Sequence, residues 1–260
     1  MPEIAIIGGS GLYSAEELKN IEEVKVHTPY GKPSDNIIIG TFNGMKIAFL
    51  SRHGRGHQYP AHLVNYRANI WALKELGIKR ILAASSCGSL KEELKPGDIV
   101  LLDQFIDRTA GRSSSFYEGS KTCHISVAEP FCPQLRSLII AAGQKLNLPI
   151  KPAGTYICIQ GPRFSTKAES NLFRKWGVDV VGMTLVPEAV LAREAEICYS
   201  NISLVTDYDC WKDSHVSIQE ILKTMSANVE NARKLLFSAI EALPAERSCE
   251  CSTALKDALL

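Results

Sequence analysis

Short apolar runs rich in β-branched residues alternate with longer segments of helical period along this chain, and few folds satisfy that alternation. Runs at 3–8, 36–41, 46–51, 80–85, 98–102, 154–159, 178–181 and 197–206 predict strands. Helical spacing at 64–76, 133–146, 166–176, 187–195 and 217–243 predicts helices. The last is the clearest: Ile218, Ile221, Leu222, Met225, Val229, Ala232, Leu235, Leu236, Ala239 and Ile240 form one stripe, and Pro244 stops it. Most strand runs lack strict in–out alternation, as expected of strands covered on both faces. The expected fold is α/β, a twisted, mixed or mainly parallel central sheet flanked by helices. No repeat or linker divides the 260 residues, so one domain is expected over 1–244, with a weakly specified tail at 245–260.

Composition narrows the function classes. The chain has 29 basic and 28 acidic residues, a formal net charge of +1, so no basic excess draws it to nucleic acid. No apolar run approaches the roughly 18 residues of a membrane span, and Met1-Pro2-Glu3 does not open a signal peptide. A cytoplasmic protein is expected. The eight cysteines then read as reduced thiols, several of them small core residues. They look too dispersed for a thiol-based metal or redox protein.

Three strand ends carry anion-binding chemistry. Gly8-Gly9-Ser10-Gly11 offers exposed backbone N–H groups and a hydroxyl, a natural nest for an oxyanion. It fails the dinucleotide fingerprint, because Ser14 stands where the third glycine belongs. A nicotinamide-dependent oxidoreductase is therefore disfavoured. Ser51-Arg52-His53-Gly54-Arg55-Gly56-His57 brings an arginine fork and a histidine to the carboxyl end of a strand, where open α/β sheets bind ligands. The spacing of His53, His57 and His62 matches no zinc pattern, so an anion is preferred to a metal there. Ala83-Ala84-Ser85-Ser86-Cys87-Gly88-Ser89 ends another buried strand in small hydroxyl residues. No base pairs with Cys87, which reads as buried.

A fourth strand end differs in sign. Val205-Thr206-Asp207-Tyr208-Asp209-Cys210-Trp211 carries two carboxylates two residues apart, on one face in extended geometry. Such a pair can bind a metal, move protons, or accept hydrogen bonds from amino groups on a base.

Taken together, IIGGSGLY, SRHGRGH, VNYRANIWALKELG, SSCGSLKEELKPGDIVLLDQFIDRT, CHISVAEPFCP, IQGPRFSTKAES, GMTLVPEAVLAREA and VTDYDCWK resemble the purine nucleoside and methylthioadenosine phosphorylase family, in order, over about residues 3 to 225. The resemblance implies a nucleoside phosphorylase fold and cleavage of a purine nucleoside by inorganic phosphate. Ser10, Arg52, His53, Ser85, Ser86 and Thr184 are then expected to hold the phosphate. Met183 is expected under the ribose, Phe164 and Ser165 along the base, and Asp207 and Asp209 at the purine N7 and exocyclic amine. A protonated Asp207, its pKa raised by burial or by Asp209, is the expected general acid.

The family also places His124, Ile218 and Ile221 near the 5′ substituent, with His124 donated by a neighbouring subunit, so a homotrimer or a dimer of trimers is expected. Members that prefer 6-oxopurines carry asparagine at position 207 and glutamate near Ser165. Asp207 and Ser165 therefore favour 5′-methylthioadenosine, giving adenine and 5-methylthioribose 1-phosphate. The alternative is a 6-oxopurine or methylthioinosine phosphorylase on the same scaffold. No metal or organic cofactor is expected; phosphate is a co-substrate. The tail Cys249-Glu250-Cys251 is similar to the archaeal branch, where it goes with disulfides in heat-stable hexamers, so a Cys249–Cys251 disulfide is expected.

Overall fold

The computed structural model describes residues 1–9, 18–119, 121–212 and 218–260; the side chains of 218–223 and 225–227 lie outside this description. Its centre is an 11-stranded mixed sheet. Strands β1 (Ile4–Gly8), β2 (Lys19–Val24), β3 (Ile37–Phe42), β4 (Met45–Ser51), β5 (Arg80–Ser89), β6 (Ile99–Leu101), β7 (Gln104–Arg108), β8 (Ile150–Lys151), β9 (Thr155–Ile159), β10 (Val180–Gly182) and β11 (Cys198–Asp207) compose it. The main path runs β2-β3-β4-β1-β5-β10-β9-β7, while β11 pairs with β5 and β6, and β6 with β8. Four neighbours, β4, β1, β5 and β11, run parallel and so end at one edge. The long strand β5 makes this possible. It pairs with β1 through Arg80–Ala83, with β11 from Arg80 to Gly88, and with β10 through Gly88 and Ser89.

Five helices cover the sheet: α1 (Tyr66–Glu75), α2 (Pro133–Lys145), α3 (Lys167–Lys175), α4 (Leu185–Glu194) and α5 (Ile218–Glu241). Each matches a segment of helical period. Helices α1 and α4 close one core with Ile7, Leu50, Ile81 and Tyr199, and α2 and α5 close the other with Ile6, Phe49, Leu82 and Ile202. Strands between these layers are buried on both faces, which is why their sequences run apolar without alternation. In α5, Leu235, Leu236 and Ile240 are wholly buried, each worth about 1.5–3 kcal/mol of apolar transfer.

The predicted strands all appear, some shifted by a few residues, and three more join them. Strand β2 is charged and exposed, and β7 is a half-exposed edge. Neither buries a face deeply enough to need an apolar run. Strand β8 is two residues long.

The residues after Pro244 pack against the body instead of fraying. Arg247 Nη1 donates to the Glu196 carbonyl at 2.9 Å, and Cys123 bridges antiparallel to Leu259. Cys251 and Ala258 are buried. The expected Cys249–Cys251 disulfide is corrected here, because all eight cysteines are free. Packing of the tail turns its thiols toward the body, leaving Cys249 Sγ 3.3 Å from Cys198 Sγ. Dispersion in sequence also misleads: Cys132, Cys198, Cys249 and Cys251 converge.

Candidate active site

The shared edge of β1, β4, β5 and β11 collects most of the candidate residues. Arg52 follows β4 directly, its backbone N–H donating to the Gly8 carbonyl at 3.0 Å. Its guanidinium forks onto Glu188 of α4 through Nε (2.6 Å) and Nη2 (2.7 Å), and Nη1 donates to the Ala84 carbonyl at 2.9 Å. Tyr199 on β11 donates to the same Glu188 carboxylate at 2.8 Å. Arg52 and Glu188 are 2% and 0% exposed, so neither charge survives without the other. Burial opposes the arginine's charge, but Glu188 outweighs it and raises its pKa. Three of the five guanidinium N–H groups are used in this way, and two remain for a ligand.

His53 stacks on His57 with ring centroids 4.2 Å apart. Its Nδ1 lies 2.8 Å from the Tyr59 carbonyl. A carbonyl only accepts, so Nδ1 carries the proton and Nε2 of the neutral ring is an acceptor. Burial, with the Arg52 charge second, pushes the pKa down from 6.5 to about 4, which keeps the ring neutral. This alters the expected chemistry. His53 is suited to accept from the hydroxyl of hydrogen phosphate or from a sugar, whereas Arg52 donates.

Ser85 lies in mid-strand on β5 beside Ser203 of β11, with Oγ donating to Asn201 Oδ1 at 3.2 Å. Ser86 follows, half-buried. Thr184 begins α4 without capping it, and its backbone N–H donates to Tyr156 Oη at 3.4 Å. Ser10 lies outside the described residues, though Gly9 carries the chain out of β1 at this same edge.

The carboxylate pair ends β11. Asp207 Oδ1 accepts from the Asp209 backbone N–H at 2.7 Å, and Oδ2 accepts from Thr206 Oγ1 at 2.8 Å. Asp209 is buried, and burial raises its pKa, while the hydroxyls of Ser170 and Ser165 hold it down. Gly88 lets the pair sit here: a Cβ at that position would lie 3.0 Å from Asp207 Oδ1 and 3.2 Å from Asp209 Cβ. Cys87, beside it, is buried and its thiol is pushed up, first by burial and then by Asp207, so it is no nucleophile.

The loop after β9 meets this turn. Cys210 Sγ donates to the Ser165 carbonyl at 3.1 Å, so Ser165 is brought beside the carboxylates. Phe164 next to it is 42% exposed, a ring on the rim. Trp211 pins the turn from below, Nε1 donating to the Ser89 carbonyl at 2.7 Å under the Arg174 guanidinium. Met183 follows β10, and Gly161 leaves it room, since a Cβ there would meet Met183 Sδ at 2.6 Å.

Sequence reading missed the groups that hold these residues in place. Arg112 gathers the carbonyls of Met183 (2.8 Å), Val186 (2.5 Å) and Gln160 (2.7 Å). It comes from a stretch that reads as loop, and a partner set of bare carbonyls leaves no side-chain signature. Glu188 lies within GMTLVPEAVLAREA, where the resemblance implies no role for it, and Tyr199 sits inside an apolar run.

One candidate stands apart. His124 is exposed, and its backbone N–H donates to the Ala258 carbonyl at 2.8 Å, tying it to the tail and not to these strand ends. Ile218 and Ile221 open α5, but their side chains are outside the description.

Comparison with known proteins fits this geometry. Residues 3–241 match the phosphorylase superfamily. The S-methyl-5′-thioadenosine phosphorylase of Pyrococcus furiosus is 57% identical over 256 residues, covering 98% of each chain. That of Thermofilum pendens is 53% identical over 258 residues, 99% of this chain and 98% of the relative. Among solved structures, a methylthioadenosine phosphorylase from an antarctic soil metagenomic library superposes with a TM-score of 0.94 at 44% identity, covering 100% of this chain and 92% of that one. The Schistosoma mansoni methylthioadenosine phosphorylase in complex with adenine gives 0.92 at 40%, covering 98% and 96%. With that match spanning nearly the whole chain, and an arginine, a histidine and two carboxylates on adjoining strand ends, the chain belongs to the phosphorylase superfamily.

Proposed function

We propose that the protein cleaves 5′-methylthioadenosine with inorganic phosphate, releasing adenine and 5-methylthioribose 1-phosphate. The observation that carries this reading is the edge itself. An arginine suited to an oxyanion follows β4, hydroxyl groups suited to it lie within β5, and a carboxylate pair suited to a purine ends the adjacent β11. Full-length relatives named as S-methyl-5′-thioadenosine phosphorylases support the substrate.

In this reading Ser10, Arg52, His53, Ser85, Ser86 and Thr184 surround the phosphate below C1′. The C1′–N9 bond breaks with its electron pair leaving on the purine, the sugar acquires oxocarbenium character, and a phosphate oxygen captures C1′. A dianion held beneath the cation stabilises that charge. Protonation of N7 neutralises the leaving base, with the Asp207 hydroxyl as donor while its other oxygen, beside Asp209, accepts from the exocyclic amine. Phe164, Ser165 and Met183 enclose the nucleoside. His124 of a neighbouring subunit, with Ile218 and Ile221, receives the methylthio group, so the working unit is a homotrimer or a dimer of trimers in the cytoplasm. Phosphate is a co-substrate, and no further cofactor enters the reaction. Residues 1–244 form the catalytic domain and 245–260 its C-terminal extension.

Base release from methylthioadenosine, adenosine and inosine, each with and without phosphate, tests the proposal. Adenine release that requires phosphate and is fastest from methylthioadenosine is expected. Release without phosphate would make the protein a hydrolase, and preference for inosine would make it a 6-oxopurine enzyme.

A further inference from the structure

Arg112 stands on a strap, residues 110–118, that is held to the domain at both ends. The Ala110 N–H donates to Gln160 Oε1 at 2.9 Å. The buried Glu194 of α4 accepts from Ser115 Oγ at 2.9 Å and from the Phe116 N–H at 2.8 Å, and Tyr30 Oη donates to the Phe116 carbonyl at 3.1 Å. Between these anchors the Arg112 guanidinium is half-buried, with its Cζ 5.5 Å over the Tyr66 ring.

Each of these acceptors is a neutral amide oxygen. Nη1 donates to the carbonyls of Met183 and Val186, Nη2 to those of Gln160 (2.7 Å) and Ile159 (3.5 Å), and Nε to Gln160 Oε1 (3.2 Å). All five N–H groups of the fork are used, on two separate segments, 159–160 and 183–186. A lysine, with its donors on one atom, could not span both. The peptides held in this way border the site. A trans peptide turns its C=O and N–H to opposite sides. With the Met183 carbonyl on Arg112, the Thr184 N–H of the same peptide faces away and meets Tyr156 Oη at 3.4 Å. The Val186 N–H likewise donates to Cys158 Sγ at 3.4 Å. Tyr156 and Cys158 are wholly buried on β9, and a Cβ at Gly182 would lie 2.0 Å from Tyr156 Oη, so the corner is packed hard on that side. Arg112 clamps it from the other.

We propose that Arg112 is a positioning residue: it fixes the Met183–Thr184 corner, at the ribose and the phosphate, against the segment that leads to Phe164 and Ser165, at the base. The inference rests on the site roles given by the proposed phosphorolysis. A nucleoside bridging the two segments brings C1′ over the phosphate only while their spacing is held, and a displacement of about 1 Å is enough to cost about 10²-fold in rate. Arg112 touches neither substrate in this role and acts through the backbone it grips.

Phosphate-dependent adenine release from methylthioadenosine, measured in parallel for the unaltered chain, Arg112→Ala and Arg112→Lys, tests the inference. Arg112→Ala, shown by circular dichroism to be folded at the assay temperature, is expected to lose about 10²-fold in kcat and to show a raised KM for phosphate. Guanidinium at low millimolar concentration is expected to restore part of that activity, because a free fork fits the vacated carbonyls. Arg112→Lys is expected to lose less and to gain nothing from guanidinium. A folded Arg112→Ala chain with unaltered kcat and KM would overturn the inference. Loss without recovery would make Arg112 a structural anchor only, which overturns it too. Should Arg112→Ala not fold, the lysine variant decides, and kcat and KM equal to those of the unaltered chain would count against the role. An unaltered chain that releases no adenine with phosphate fails the proposed reaction itself, and is thereby told apart from these results.

Discussion

At the scale of single residues, the site depends on which partner each polar group has. In the proposed site Asp207 is the group that would separate a 6-aminopurine from a 6-oxopurine, because a carboxyl oxygen accepts from an exocyclic amine and an amide can offer N–H to a carbonyl. Asp207→Asn is expected to slow methylthioadenosine cleavage by about 10²–10⁴-fold while raising 6-oxopurine cleavage relative to it; unchanged relative rates would remove Asp207 from base selection. Glu188, which also accepts from Tyr199, is a positioning residue for Arg52. Its bidentate grip fixes the guanidinium plane, and Glu188→Ala leaves a buried cation unpaired at a cost of about 3–5 kcal/mol. Denaturant unfolding should show that loss, and Glu188→Gln, which restores one acceptor, should recover part of it. Where the variants fold, the KM for phosphate is expected to rise more than kcat falls. His53 sets a pH dependence with a definite sign. Its folded pKa of about 4 lies below the ordinary 6.5, so between those values the unfolded chain binds more protons and stability rises with pH. The contribution is complete above pH 6.5 and lost by pH 4, no more than about 3 kcal/mol. Unfolding measured at pH 7, 5.5 and 4.5 should show a flatter dependence for His53→Gln than for the unaltered chain.

Among secondary-structure elements, legibility follows burial. The C-terminal half of helix α5 could be read because one face, Ala232, Leu235, Leu236, Ala239 and Ile240, is buried, and the strands inside the sheet could be read because both faces are covered. Strand β2 could not, since Lys19-Asn20-Ile21-Glu22-Glu23 is held by the hydrogen bonds of its neighbour β3 and not by its own side chains. The candidate site divides along the same line. Groups that would meet a ligand occupy strand ends and form motifs, whereas Arg112, Glu188 and Tyr199 hold other protein groups and have no pattern of their own. Helix α3 shows a local device that does have one. Thr166 Oγ1 accepts from the Glu169 N–H at 3.1 Å and Glu169 returns a bond to the Thr166 N–H at 2.8 Å, a reciprocal cap. Arg163 grips the same carboxylate and, with the cap, lowers its pKa to about 2. Thr166→Ala is expected to cost about 1 kcal/mol in denaturant unfolding. Because the N-cap of α3 follows Ser165 directly, a rise in KM for the nucleoside should accompany that loss. A stability change with unaltered KM would mean that the cap serves the helix and not the base site.

For the whole molecule, the decisive fact is that one candidate lies away from the others. The edge formed by β1, β4, β5 and β11 gathers Arg52, Ser85, Ser86, Asp207 and Asp209 within one chain, while the backbone of His124 is tied to the C-terminal segment. In the proposed reading His124 is lent by a neighbouring subunit, and a cyclic trimer would let each protomer lend what it receives. This arrangement has a consequence that no monomer shares. A His124→Ala chain keeps Asp207, and an Asp207→Asn chain keeps His124, so each homo-oligomer has only defective sites. Co-assembled in equal amounts, the two would form interfaces at which the first supplies the carboxylate and the second the histidine, roughly one site in four by random pairing around a ring. Coexpression, or mixing under dissociating conditions followed by dilution, should therefore restore methylthioadenosine cleavage to about a quarter of the unaltered activity. Mixing without exchange should restore none. If exchange is demonstrated by mass and activity stays at the level of the two parents, His124 serves its own chain and the shared site is excluded.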